Sequence, residues 1–125
     1  MQNASGQIQV FYELNILPSK EDELKEIVKK MVASNANEEP GTIVYNVYIN
    51  PDSTLLTYLE TYSDSETGFY HCKRFADGEF IHQILERTDG GRLCFYGNVS
   101  EEFKKWATDA GFEPEYFDHI DGYVR

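Results

Sequence analysis

Three features of this 125-residue chain predict an α+β domain of ferredoxin-like βαββαβ order, one antiparallel sheet with helices on one face. Apolar and polar residues alternate in several stretches, as in half-buried strands, and stretches with apolar residues at helical spacing lie between them. Asn50-Pro51-Asp52-Ser53 joins two of the strand-like stretches through a tight turn, which makes them a hairpin. A further helix and a short strand-like tail follow. The reading is one domain over residues 1–125, with a core of about residues 6–99 and a C-terminal helix and strand extension of about residues 100–125.

The first strand runs from Gln7 to Ile16, where Ile8, Val10, Tyr12, Leu14 and Ile16 alternate until Pro18 stops it. Ser19, with Asp22 three residues on, resembles a capping box and opens a helix whose apolar face is Leu24, Ile27, Val28, Met31 and Val32. Glu21 with Lys25 and Glu26 with Lys30 stand at i,i+4 on its wet face. After Pro40-Gly41, Ile43, Tyr45, Val47 and Ile49 alternate up to the turn. The next strand begins near Leu55; Leu56, Tyr58, Glu60 and Tyr62 point to one side, Leu55, Thr57, Leu59 and Thr61 to the other.

Ser63, Asp64 and Ser65 are N-cap candidates for a helix carrying Phe69, Cys72, Phe75 and Ala76. Asp77-Gly78 breaks it before a second piece with Phe80, Ile81, Ile84 and Leu85. Gly90-Gly91 reads as a turn before a strand from Arg92 to Val99. Ser100 caps a short helix with Phe103, Trp106, Ala107 and Ala110 on one face as far as Gly111, and the tail from Glu115 to Val124 adds a short strand.

The formal charge of -11 repels nucleic-acid phosphate and anionic membrane surfaces, so neither is an expected partner. MQNASGQIQV has no basic segment followed by an apolar core, and no apolar run approaches about 18 residues, which predicts a cytoplasmic protein without a membrane segment. Cys72 and Cys94 lack C-x-x-C spacing; a buried reduced pair is the default and a disulfide stays open. His82 and His119 are isolated and no metal is predicted; nucleotide-binding glycine patterns are absent too. Helices on one face leave the other face bare. Apolar residues on both sides of the 43–48 stretch then predict a homodimer formed by sheet-on-sheet packing.

The helix SKEDELKEIV, the turn EPG leading into TIVYNVY, and LLTYLETYSDSETGFYH together resemble the antibiotic biosynthesis monooxygenase family, small dimeric α+β barrels. Its most specific parts are Glu39-Pro40-Gly41 with Tyr45, and Glu60-x-Tyr62 followed nine residues later by His71. The family's aromatic is commonly Trp where this chain has Tyr62, and CKRFADGEF after His71 departs from the usual short segment. The ending YGNVSEEFKKWATDAG and EYFDHIDGYVR is similar to the extension of members described as quinol monooxygenases. The resemblance implies a homodimer with a cavity between sheet and helices. In enzymatic members it implies oxygenation of phenolic or quinol substrates with no cofactor, neither metal nor flavin. Other members bind or degrade haem, an alternative that Asn15 and His71 keep open although Tyr62 does not favour it. A non-catalytic dimer that binds a small aromatic molecule also stays open.

His71 is the candidate base, since imidazole titrates near neutrality and a cofactor-free oxygenase must deprotonate its phenol; the plainer role is a helix histidine bonded to a carboxylate. Glu60 is its candidate partner, or else the ion-pair mate of a cation such as Arg74. Tyr62, Tyr58, Tyr45 and Asn15 are candidate substrate contacts, the tyrosines by stacking and hydrogen bonding, with plain packing as the alternative. Phe103 and Trp106 read as a docking face for the last helix.

Overall fold

The computed structural model describes residues 6–125. Met1 to Ser5, part of the segment read above for a leader, lie outside the described residues. The order is β1 (Ile8–Ile16), α1 (Glu21–Glu38), β2 (Thr42–Ile49), β3 (Leu55–Tyr62), α2 (Ser65–Asp77), α3 (Phe80–Leu85), β4 (Thr88–Tyr96), α4 (Glu101–Asp109) and β5 (Glu115–Phe117). This is the expected α+β succession with its extension. The sheet runs β2-β3-β1-β4-β5; the first four strands pair antiparallel, while β5 lies parallel to β4. The sheet is therefore mixed rather than wholly antiparallel, because α4 carries the chain back before β5 begins.

Register places Ile8, Val10, Tyr12 and Leu14 of β1 beside Tyr62, Glu60, Tyr58 and Leu56 of β3 on the inner, helix-covered face. Two clusters fill that face. Leu14, Leu24, Ile27, Met31, Leu56, Tyr58 and Ile84 pack beneath α1 and α3, and Ile8, Val10, Tyr62, Phe95, Val99 and Phe103 beneath α2 and α4. The outer face leaves Val44, Tyr48, Leu59, Tyr96 and Phe117 exposed. Ile43 sits at a register shift between β2 and β3 and is 53% exposed, so the shift takes it out of the alternation with Tyr45 and Val47.

Several local expectations change. Ser19 does not cap α1: it takes φ 67 in a turn, and Lys20 occupies the cap position with no side-chain bond. On the wet face the lysines reach acids three residues away, Lys20 to Glu23 and Lys29 to Glu26, instead of forming the i,i+4 pairs. Asp64 does form the capping box of α2, accepting from the Thr67 N–H at 2.8 Å, and Ser100 caps α4 through the Phe103 N–H at 3.1 Å. Gly90-Gly91 lies inside β4, which already starts at Thr88. The reason is a close approach: a Cβ on Gly91 would stand 1.7 Å from the carbonyl oxygen of Glu13, so only glycine lets β4 pass β1 there. Cys72 and Cys94 are free thiols. Among the described residues no helix is long and apolar enough to cross a membrane.

Candidate functional site

At the seam between the two clusters the sheet and α2 bury a chain of polar side chains. Glu60 points inward from β3 because it alternates with Tyr58 and Tyr62, and His71 lies two turns into α2 above it. Glu39 ends α1: its N–H donates to the Asn35 carbonyl at 2.9 Å while its side chain turns in. All three are nearly inaccessible, at 5%, 6% and 3% exposure for Glu60, His71 and Glu39.

His71 Nδ1 lies 2.8 Å from Glu39 Oε1, and Nε2 lies 3.3 Å from Glu60 Oε1. The Tyr62 hydroxyl donates to the same Glu60 oxygen. Glu39 also accepts from the Thr42 hydroxyl at 2.9 Å and from Arg74 at 2.5 Å, and Arg74 reaches Ser34 and Asn35 as well. Among the described residues no buried side-chain nitrogen or oxygen is left without a partner. That completeness is what a buried charge network requires, since each unpaired member would cost several kcal/mol, about 3–5 by the usual range.

The titration directions follow from these contacts. Burial raises the Glu60 carboxyl, and the charge of His71 and the Tyr62 hydrogen bond only partly offset it. Burial pulls the His71 imidazole down, but the hydrogen bond to Glu39 and the charges of Glu60 and Glu39 leave it raised. Burial also pushes Glu39 up, yet its bonds to His71, Thr42 and Arg74 hold it lowered. Both members of the Glu60–His71 contact are thus held above their ordinary values and stand 3.3 Å apart, within reach of proton exchange. Glu39 stays the fixed anion that orients the imidazole.

The Glu39-Pro40-Gly41 turn is keyed to α2. A Cβ on Gly41 would fall 2.4 Å from the Thr67 methyl, so the turn needs glycine to lie against the capping box, and the Gly41 carbonyl accepts the Ser63 N–H at 3.1 Å.

The sequence-derived residues divide. His71, Glu60 and Tyr62 meet directly, and Tyr45 packs on the His71 ring at 5.4 Å between centroids. Tyr62 is fully buried and serves Glu60 rather than facing open space. Tyr58 points its hydroxyl at the Met31 sulfur, 3.9 Å away, inside the aliphatic cluster. Asn15 stands apart, near the opposite end of β1 from Val10, with its amide on the Asp89 carbonyl at 3.1 Å. Arg74 pairs with Glu39 and not with Glu60. Sequence reasoning gave no role to Glu39 or Tyr12. Tyr12 was visible as an inward position of β1; its hydroxyl is pushed up to about 12 by burial and by the Glu60 charge.

Beside Glu60 and His71 lies an apolar cavity of about 40 Å³ walled by Val10, Tyr12, Phe95, Trp106 and Phe112, among others. A separate cleft of about 220 Å³ opens on the other side of His71, between α1 and the α2–α3 break. Among the described residues no group of three or more His, Cys, Asp and Glu side chains is placed to hold a metal ion.

No family model matches the sequence, and no curated protein matches it. Solved structures match by shape. MupZ from Pseudomonas fluorescens gives a TM-score of 0.74 at 20% identity, over 96% of this chain and 95% of that one. A "putative antibiotic biosynthesis monooxygenase" from Bacteroides thetaiotaomicron gives 0.60 at 18% identity, over 72% of this chain and 87% of its own. One so described from Caulobacter crescentus gives 0.61 at 18%, over 78% and 94%. The chain therefore has the α+β fold shared by structures described as antibiotic biosynthesis monooxygenases. At these identities the likeness concerns the fold, the one that the sequence resemblance implied.

Proposed function

We propose that the protein is a monooxygenase of small aromatic or quinol-type compounds, working without metal or flavin, with the Glu60–His71 pair as its acid–base unit. The observation that carries this reading is a buried carboxylate 3.3 Å from an imidazole nitrogen, both on the wall of an apolar, aromatic-lined cavity. A phenolic O–H entering that cavity gives its proton to the pair, and the resulting phenolate is the electron-rich species that dioxygen can oxidise. One oxygen atom enters the substrate and the other leaves as water. The substrate's own hydrogens supply the electrons and protons, which restricts it to a quinol or a similarly reduced ring. Glu39 holds the imidazole and Tyr62 holds Glu60, so the base is oriented before substrate arrives. The apolar residues exposed on the outer face support a homodimer built by sheet-on-sheet packing.

Oxygen uptake with a panel of hydroquinones tests this. Wild type is expected to consume oxygen, and Glu60→Gln and His71→Asn to lose at least about 100-fold of the rate. Unchanged uptake in Glu60→Gln would sink the assignment. Tight binding without any uptake would instead mark a non-catalytic binding protein.

A further inference from the structure

The cavity beside Glu60 is closed in this conformation to less than the volume of a ring, so the reaction just proposed needs it to open. Its volume is about 40 Å³, whereas a dry cavity that admits a benzene ring is about 150 Å³. It shares three walls, Tyr12, Leu93 and Phe112, with an open cleft of about 310 Å³ at the end of β4. We propose that cavity and cleft are the closed chamber and open mouth of one channel, that the Phe112 side chain is its door, and that it takes an elongated ligand whose ring enters the chamber while an uncharged chain lies in the mouth.

The local structure shows which wall can move. Val10, Tyr12 and Phe95 are fixed in the sheet, and Trp106 and Ala107 in α4. Phe112 follows the helix, with its backbone held by its N–H on the Ala107 carbonyl at 2.9 Å and by Gly111 at φ +90. The chain is anchored while the half-buried ring, 5.8 Å from that of Trp106, is free to swing about its own side-chain bonds. No movement of a strand or helix is needed.

The mouth is open for a structural reason. Gly91 can carry no side chain, and a Cβ on Gly90 would meet nothing within 4 Å. Leu85, 45% exposed, forms an apolar rim. The charges there are Arg92, clamped by Glu115 at 2.6 and 3.1 Å, and Glu113. With the guanidinium already satisfied and a carboxylate beside it, a carboxylate tail is repelled and a neutral chain is accepted. The competing route, the cleft between α1 and α2, reaches His71 beside Arg74, whose guanidinium is tied to Glu39, Asn35 and Ser34, and the Glu79→Trp variant below tests it.

The inference rests on the Glu60–His71 pair being the reacting centre, and binding tests it separately from turnover. Phenol and 4-hexylphenol are titrated calorimetrically into the full chain. Wild type is expected to bind 4-hexylphenol at least tenfold more tightly than phenol. Leu85→Trp, on the rim, should weaken 4-hexylphenol at least tenfold and leave phenol within twofold. Glu79→Trp, in the competing cleft, should change neither. Phe112→Ala should speed both association and dissociation of 4-hexylphenol at least fivefold, with Phe112→Leu as the milder variant if the alanine protein unfolds. Absence of binding to wild type, equal affinity for the two phenols, or weakening by Glu79→Trp instead of Leu85→Trp would each overturn the channel. Quinol oxidation that needs Glu60 but ignores Leu85 and Phe112 would overturn the channel and keep the oxygenase. The expected binding pattern with no oxygen uptake would keep the channel and remove the oxygenase.

Discussion

Beneath α1 and α3 the buried side chains of the inner face are aliphatic or Met apart from Tyr58, whereas beneath α2 and α4 rings, Tyr62, Phe95 and Phe103, share the buried face equally with Ile8, Val10 and Val99; both clusters are flanked by further rings. Aliphatic chains interlock and leave no polar atom to satisfy. Rings leave gaps at their edges, and tyrosine adds a hydroxyl that can reach a buried acid. Glu60 sits where the two fillings meet, between Tyr58 and Tyr62, and only the aromatic side answers it with a hydrogen bond. One end of the domain is built for packing and the other tolerates a charge network and a cavity.

The sharpest way to break this contrast is His71→Ala, which strips Glu60 and Glu39 of their shared partner. It should cost about 3–5 kcal/mol in urea unfolding. A loss under about 1 kcal/mol would mean that the pair is not buried in the charged form. On the aliphatic side Leu24→Ala should cost about 2–4 kcal/mol by cavity formation while leaving the affinity for phenols unchanged, as calorimetry would show.

Stability against pH sharpens the same point. Glu39 is lowered, so its contribution is present above the ordinary carboxylate value and is lost as pH falls through its depressed folded value. His71 is raised, so its contribution is full below the ordinary imidazole value and is lost as pH rises through its raised folded value; Glu60, also raised, weakens in the same upward direction. The melting temperature should therefore peak between the lowered Glu39 and raised His71 values. His71→Gln should flatten the alkaline limb, and Leu24→Ala should lower the whole curve without changing its shape. The smallest stability effect belongs to the outer face: Leu59→Lys, at an exposed position, should shift unfolding by less than about 0.5 kcal/mol. Light scattering should nevertheless show that this substitution abolishes the homodimer proposed for that face.

The fold was largely legible because alternation and helical spacing report which face of each element is buried, and those faces are what the tertiary structure uses. Misreadings came where backbone approach decides: Gly90-Gly91 looked like a turn but permits β4 to pass Glu13, and Ser19 looked like a cap but forms a left-handed turn. The His71–Glu60 meeting followed from strand alternation plus a family spacing. The shorter contact, His71 to Glu39, did not, because it depends on how the end of α1 is turned toward α2 by a three-dimensional fit at Gly41. Asn15, read as a candidate substrate contact and as part of the haem alternative, is carried away from the network by the sheet register.

That fit at Gly41 also orders events in time. The turn cannot seat until the first turn of α2 has formed and presented Thr67, so Glu39 gains its imidazole only after two segments distant in sequence have docked. A side-chain fit of this kind needs both segments already in place, so it is expected to form after the folding transition state. Substitutions at Gly41 should therefore leave the refolding rate nearly unchanged and show themselves as faster unfolding, the signature of a contact absent from the transition state.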